Sequence, residues 1–143
     1  MQDQGAIQSL RRFLITLWFF VPLECLLALW FGLYRAPADE PAVQRWASNL
    51  LLIHSITAII TLVLALVVVR ALNRPQLKTR TAVVLQVLLC SIYLLYGALV
   101  SAVDLSSGSG IASFILVSCG IAGLSLMPPK ISTPLFGMAF LVF

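Results

Sequence analysis

Residues 11–35 read RRFLITLWFFVPLECLLALWFGLYR, and this stretch decides the fold. Between Arg12 and Arg35 the only charged residue is Glu24. A helix needs about 20 apolar residues to cross the hydrocarbon core of a bilayer. The stretch therefore predicts a transmembrane helix over about 13–34, and it raises the question of why a carboxyl group lies near its centre.

The composition of the whole chain agrees with a membrane protein. Of the 143 residues, 61% are hydrophobic and only 10% are charged, whereas soluble domains have about 45–50% apolar and about 25% charged residues. A soluble fold of this size exposes too much of its chain to hide so many apolar residues. We therefore expect the lipid bilayer as the main partner. The net charge of +4 is not taken as a sign of nucleic-acid binding, because basic residues flank membrane spans.

The predicted fold is all-α, a polytopic transmembrane helix bundle that forms a single domain over residues 1–143. About five spans are expected, at 13–34, 47–69, 82–103, 110–127 and 131–143. The fifth has about 13 residues and reaches roughly 20 Å as a helix, less than the roughly 30 Å of the core. Either it is re-entrant, or the sequence is a piece of a longer protein in which a sixth helix follows; we favour the second interpretation.

The distribution of Lys and Arg predicts the orientation. Basic residues dominate the N-terminus, the loop at 70–80 and the turn at Lys130, whereas the loop near Asp39 is balanced and that near Asp104 is acidic. The positive-inside rule places the basic segments in the cytoplasm. We expect a multi-pass protein of the bacterial cytoplasmic (inner) membrane, with its N-terminus in the cytoplasm.

Sequence motifs for catalysis are missing. The chain has no Gly-rich phosphate loop, H-E-x-x-H, G-x-S-x-G or kinase signature, so we predict no catalytic residue and no enzyme activity in this segment. A single His excludes a multi-His metal or haem site within one chain, and no cofactor is expected. Cys25, Cys90 and Cys119 each lie in an apolar run and are expected to be small core residues.

Polar residues of three spans reach a similar depth. At 1.5 Å per residue, Glu24 lies about 15 Å from the outer end of its span, His54 about 10 Å, and Tyr93 and Tyr96 about 15 and 10 Å. Asn49 and Asp104 are expected nearer the outer surface. These six residues are the candidates for ligand binding or proton sensing.

Two interpretations of this polar layer stay open. It is either a pocket for a small ligand or for protons, built around Glu24 and His54, or a set of interhelical hydrogen bonds that only fixes the packing. The cost of about 2.5–3.5 kcal/mol for a charge at a helix centre predicts, in either case, that Glu24 faces the bundle interior.

The segments LRRFLITLWFFVPLECLLALWFGLYR and ASFILVSCGIAGLSLMPPKISTPLFGMAFLVF resemble the N-terminal membrane region of bacterial signalling proteins. The closest likeness is to the multi-helix sensors that precede the GGDEF domain of diguanylate cyclases, which make cyclic di-GMP; some membrane histidine kinases share the layout. The resemblance rests on hydropathy, spacing and the turn at Pro128, Pro129 and Lys130. It implies signal transduction by a homodimer that responds to a small-molecule or membrane signal, with the catalytic domain beyond residue 143. The alternatives are a small transporter or half-transporter, or a structural membrane protein.

Overall fold

The computed structural model describes residues 2–34, 39–74, 77–106, 115, 117–120 and 129–141, and these residues are almost entirely helical. There are three long helices, α1 (Gln2–Leu33), α2 (Pro41–Leu72) and α3 (Thr79–Ser106), and a shorter one, α4 (Pro129–Leu141). No strand occurs among the described residues. The prediction of an all-α fold is confirmed for this part of the chain.

Three of the predicted spans correspond to helices that are long and apolar enough to cross a membrane, namely α1, α2 and α3. Their 32, 32 and 28 residues correspond to about 48, 48 and 42 Å, more than the roughly 30 Å of the hydrocarbon core. In lipid a helix is favoured because it satisfies its backbone groups internally. The rest of each helix extends beyond the apolar segment that the sequence indicates.

Five spans remain a prediction. Most of the predicted fourth span, 110–127, lies outside the described residues, and residues 117–120 within it are helical. The predicted fifth span agrees in position with α4, which has 13 residues and a length of about 20 Å. Helix α4 contacts α3.

Helix α1 begins well before the predicted span. It starts at Gln2 rather than near residue 13, and Ser9 and Leu10 in this extension are fully buried. Hydropathy marks only the lipid-compatible part of a helix, so a polar extension that packs on neighbouring helices is not visible to it. The helix also continues through Pro22, which is exposed and leaves the Trp18 carbonyl without its usual helical donor.

The three long helices run in alternating directions. From α2 to α3 the paired residues run in opposite order, since Trp46 contacts Asp104 and Thr61 contacts Tyr93. The same holds for α1 and α2, since Glu24 contacts His54 and Phe31 contacts Trp46. We call the end where α1 finishes and α2 starts the α1–α2 end, and the opposite end the α2–α3 end.

The two halves of the bundle are packed differently. The core toward the α2–α3 end is closed by residues with no exposed surface, among them Leu10, Ala65, Val68, Ala82 and Leu89. Toward the α1–α2 end the helices separate around a cavity. The outer surface is apolar, with Phe19, Ile59, Leu66 and many other large side chains exposed, as expected for lipid contact.

Candidate functional site

The cavity lies between α1, α2, α3 and the helical residues 117–120, and has a volume of about 430 Å³. This is within the range of about 300–1,000 Å³ that is typical of small-molecule sites. Its described lining comprises Phe13, Thr16, Leu17, Phe20, Leu23, Glu24, Leu27, Phe31, Trp46, Leu50, His54, Tyr93, Tyr96, Val100, Asp104, Val117 and Gly120. Most of these side chains are apolar or aromatic, with a small number of polar groups among them.

Helix α1 supplies one face of the cavity through a regular stripe. Phe13, Leu17, Glu24 and Phe31 are separated by four, seven and seven residues, and at 3.6 residues per turn a step of seven returns to within about 20° of the same direction. The sequence therefore places the carboxyl group of Glu24 on the same line as three apolar side chains. The opposite face of α1, with Trp18 and Leu26, is exposed.

Glu24 and His54 form the polar centre of the cavity. The exposed fractions of the two residues are only 1% and 4%, and a hydrogen bond of 2.7 Å joins His54 Nδ1 with Glu24 Oε2. The Tyr96 hydroxyl lies 3.3 Å from the same nitrogen. Because three helices contribute one group each, this cluster holds α1, α2 and α3 together at the level of Glu24.

The two carboxylate oxygens of Glu24 differ in their hydrogen bonding. Oε1 is buried and has no hydrogen-bond partner among the described residues. A buried acceptor without a donor costs about 1–3 kcal/mol, so it calls for an explanation. Whether the hydrogen shared with His54 resides on Nδ1 or on Oε2, Oε1 is a hydrogen-bond acceptor.

Aromatic rings hold the imidazole of His54 in place. Phe31 stacks on it, with 5.5 Å between ring centroids and an interplanar angle of 6°, and Tyr96 meets it edge-on at 5.9 Å. Such contacts add about 0.5–1.5 kcal/mol beyond burial. Phe31 also meets Trp46 edge-on at 5.5 Å, which extends the aromatic wall toward the α1–α2 end.

Trp46 and Asp104 stand at the α1–α2 end of the cavity. The indole Nε1 donates to Asp104 Oδ1 at 3.2 Å, in a half-buried setting. Trp46 precedes His54 by eight residues, and Asp104 follows Tyr96 by eight, so each lies about 12 Å along its helix from the polar centre. The cavity therefore has a second carboxylate, separated from the first by that distance.

Two further polar pairs link the helices. Thr61 and Tyr93 share a hydrogen bond of 2.9 Å, and Gln86 Nε2 donates to Ser9 Oγ at 2.8 Å near the α2–α3 end. All four residues are buried. Of these, only Tyr93 lines the cavity, so the other three act in helix packing.

The structure brings five of the six candidate residues to the cavity. Glu24, His54, Tyr96 and Asp104 line it together with Tyr93, which contacts Tyr96 edge-on at 6.4 Å. The sixth, Asn49, is exposed and is not part of the described lining. It precedes His54 by five residues, and five helical steps rotate a side chain by about 140°, which turns it away from the face that His54 occupies.

The expectation that all three cysteines are core residues is wrong for two of them. Cys90 is buried, whereas Cys25 and Cys119 are exposed. Cys25 follows Glu24 directly, and one helical step of about 100° takes it out of the interior. In the described part of the chain, no group of three or more His, Cys, Asp or Glu side chains is placed to hold a metal ion.

The sequence analysis missed the aromatic part of the site. Phe20, Phe31 and Trp46, which line the cavity, are not among the six candidate residues. The signal was nevertheless present, because Phe20 and Phe31 lie four residues before and seven after Glu24, positions that share a helical face. Thr61 follows His54 by seven residues in the same way.

No family model, curated protein or solved structure significantly matches this chain. The chemistry of the cavity therefore has to be interpreted from its own residues. The Glu24–His54 pair can give and take a proton, the carboxylates can accept from donors, and the aromatic wall can stack on an apolar or cationic group.

Proposed function

We propose that this chain is a membrane-embedded sensory domain of a bacterial signalling protein, and that its signal is a small ligand bound in the cavity between α1, α2 and α3. The observation that carries this proposal is the cavity itself, with a volume of about 430 Å³ and the buried Glu24–His54 pair in its lining. A group with only a packing role needs no such space beside it. The signalling context is supported by the resemblance to membrane sensors that precede GGDEF domains.

In this proposal a ligand acts by changing how the helices pack. Because Glu24, His54 and Tyr96 belong to three helices, a ligand beside them in the cavity acts on a cluster common to all three. A ligand shifts an equilibrium between two packings only by its differential affinity for them. The tightly packed half near the α2–α3 end would transmit the change to the cytoplasmic side, given the proposed orientation with the N-terminus in the cytoplasm.

A transporter is the alternative, and the polar centre within apolar helices favours it. The packing of the bundle argues against it, because the cavity ends on the closed core around Leu10, Val68 and Ala82. A substrate in the cavity would have to open that core in order to pass. A cavity bounded by such a core fits a receptor better than a translocation path.

The test is to fill the cavity in the protein encoded by the complete natural reading frame. Val100 is buried and lines the cavity, whereas its neighbour Leu99 is exposed on the outer surface. We expect Val100→Phe to lock the cellular level of cyclic di-GMP, so that it no longer responds to growth conditions, and Leu99→Phe to behave as wild type. Equal responses of the two variants, at equal amounts of protein in the membrane, would contradict a sensory role for the cavity.

The gene sequence beyond codon 143 separates the functional classes. A further helix followed by a GGDEF or kinase domain supports the sensory proposal. A second bundle of similar hydropathy supports a transporter, and a stop codon close to Phe143 supports a structural protein.

A further inference from the structure

Building on the proposed ligand-binding function, we infer that the ligand is an uncharged, largely apolar molecule that contains an aromatic ring. Three features of the cavity point to this class. They are the hydrogen bonds that already engage its polar side chains, the lack of an available counter-charge in its described lining, and the aromatic side chains that three helices contribute.

The polar side chains of the described lining are hydrogen-bonded within the protein. The bonds join His54 with Glu24, His54 with Tyr96, Trp46 with Asp104, Tyr93 with Thr61, and Thr16 with the Arg12 carbonyl. The Oε1 atom of Glu24 has no partner among the described residues, but almost none of its surface is accessible. The surface that lines the cavity is mostly apolar, so a ligand gains chiefly from apolar contact.

A charged ligand would find no available counter-charge among the described lining residues. Glu24 is engaged with His54, and Asp104 accepts from Trp46 and has a further interaction within the protein. No Lys or Arg belongs to the described lining. An ion of either sign would leave water for a mostly apolar site that offers it no partner of opposite charge, which is unfavourable. An uncharged ligand therefore fits best.

Six aromatic side chains line the cavity, and all three long helices contribute to them. They are Phe13, Phe20 and Phe31 of α1, Trp46 of α2, and Tyr93 and Tyr96 of α3. Several already meet edge-on, as Phe20 and Tyr93 do with 5.5 Å between ring centroids. Aromatic rings that pack in this way attract one another beyond the effect of burial. A ligand ring among them is therefore favoured over a saturated ring of the same size.

The volume of the cavity sets the size of the ligand. An apolar cavity of about 150 Å³ is large enough to bind benzene, and the cavity here has about 430 Å³. A substituted benzene ring therefore fits, and simple derivatives of one ring can serve as probes.

Four brominated probes of similar shape test the charge and the ring. 1-Bromo-4-ethylbenzene is neutral and aromatic, 4-bromobenzylammonium and 4-bromobenzoate are its charged counterparts, and 1-bromo-4-ethylcyclohexane is neutral and saturated. Bromine quenches tryptophan fluorescence on contact, and Trp46 lines the cavity. The other two Trp residues, Trp18 and Trp30, are 50% and 66% exposed and are replaced by Phe. The protein is placed in nanodiscs of phosphatidylcholine, and each affinity is expressed per concentration of probe in the lipid.

We expect 1-bromo-4-ethylbenzene to quench Trp46 saturably and to bind at least ten-fold more tightly than either charged probe. It should bind about three-fold more tightly than the saturated probe. Val100→Phe fills the cavity and should abolish the saturable quenching, whereas Leu99→Phe, on the exposed outer surface, should retain it. This pair separates binding in the cavity from quenching by probe that is dissolved in the lipid.

Phe20→Leu tests the preference for a ring without filling the cavity. Phe20 lines the cavity, whereas its neighbour Phe19 is 68% exposed. We expect Phe20→Leu to weaken the binding of 1-bromo-4-ethylbenzene about three-fold and to affect the saturated probe less. Phe19→Leu should leave the binding of both probes unchanged.

A charged or a saturated probe that binds as tightly as 1-bromo-4-ethylbenzene would overturn this inference but leave the cavity as a ligand site. No saturable quenching by any probe, with signalling that still differs between the Val100→Phe and Leu99→Phe proteins, would overturn this inference alone. No saturable quenching, with identical signalling by those two proteins, would overturn the proposed function as well.

Discussion

Replacing His54 by Phe removes the hydrogen-bond partner of Glu24 while keeping a flat ring against Phe31. The stacked contact of 5.5 Å can persist, so the main loss is the 2.7 Å bond to Glu24 Oε2. Glu24 would then lose the hydrogen bond of Oε2 in a nearly fully buried position, where Oε1 already has no partner among the described residues. Breaking a buried pair by removing one partner costs about 3–5 kcal/mol, and we expect His54→Phe to lower the free energy of unfolding by about 3 kcal/mol.

The complementary change should cost less. In Glu24→Leu the imidazole keeps the Tyr96 hydroxyl, 3.3 Å from Nδ1, as a partner, so we expect a loss of about 1 kcal/mol, the value of one net hydrogen bond. The double variant removes the unpaired acid as well, and replacing a buried pair by apolar groups is often neutral or stabilising. We therefore expect Glu24→Leu to restore at least about 1 kcal/mol when it is added to His54→Phe.

The assay is unfolding by SDS in mixed micelles, followed by circular dichroism and by the fluorescence of the aromatic cluster. Ile56→Phe is the matched control, because Ile56 is on the same helix but exposed, and it should change stability by less than about 0.5 kcal/mol. A double variant less stable than His54→Phe alone would refute the reasoning, since it would mean that the carboxyl group of Glu24 is satisfied without His54.

The other interhelical contacts lead to three further predictions, all measured by the same unfolding assay. Thr61→Val leaves the buried Tyr93 hydroxyl without its 2.9 Å partner and should lower the free energy of unfolding by about 1 kcal/mol. Tyr93→Phe should cost less, because the remaining threonine hydroxyl can bond to its own helix backbone. A larger loss for Tyr93→Phe would contradict this. Gln86→Leu and Ser9→Ala each remove the 2.8 Å hydrogen bond between α1 and α3, so each should lower the free energy of unfolding by about 0.6–1 kcal/mol. Strictly additive losses in the double variant would show that the two side chains are not coupled. Asp104→Leu removes the acceptor of the Trp46 indole at the α1–α2 end of the cavity and should lower the free energy of unfolding by about 1 kcal/mol. Asp104→Asn keeps an acceptor and should stay within about 0.5 kcal/mol of wild type. Equal losses for the two variants would exclude that hydrogen bond as the cause.

Apolar length was enough to predict the three long helices, because lipid leaves the backbone few alternatives. Depth along the helices was also enough to suggest that Glu24, His54 and Tyr96 meet, since residues at equal depth on adjacent helices share a layer. Depth does not say in which direction a side chain points. Asn49 was therefore counted among the candidates, although the helix turns it to the exposed side.

The cavity itself could not be predicted from hydropathy. A leucine that fills a core and a leucine that borders an empty space contribute equally to an apolar run. Leu17 and Leu89 are both fully buried, yet only Leu17 lines the cavity. The difference depends on how far the helices separate, which is set by the tertiary contacts of all three and has no local signature.

The uneven packing of the two halves bears on how a ligand would act. Close-packed interiors transmit displacements because their side chains have few alternative arrangements. The core toward the α2–α3 end, with Leu10, Val68 and Ala82 fully buried, is of this kind, whereas the cavity half leaves room for the helices to move. A ligand that fills the cavity would shift α1 where it is least constrained, and the packed half would carry that shift onward as a rigid unit. A transmission route of this kind needs His54 as well as Glu24, because the imidazole couples α1 to α2 and to Tyr96 of α3.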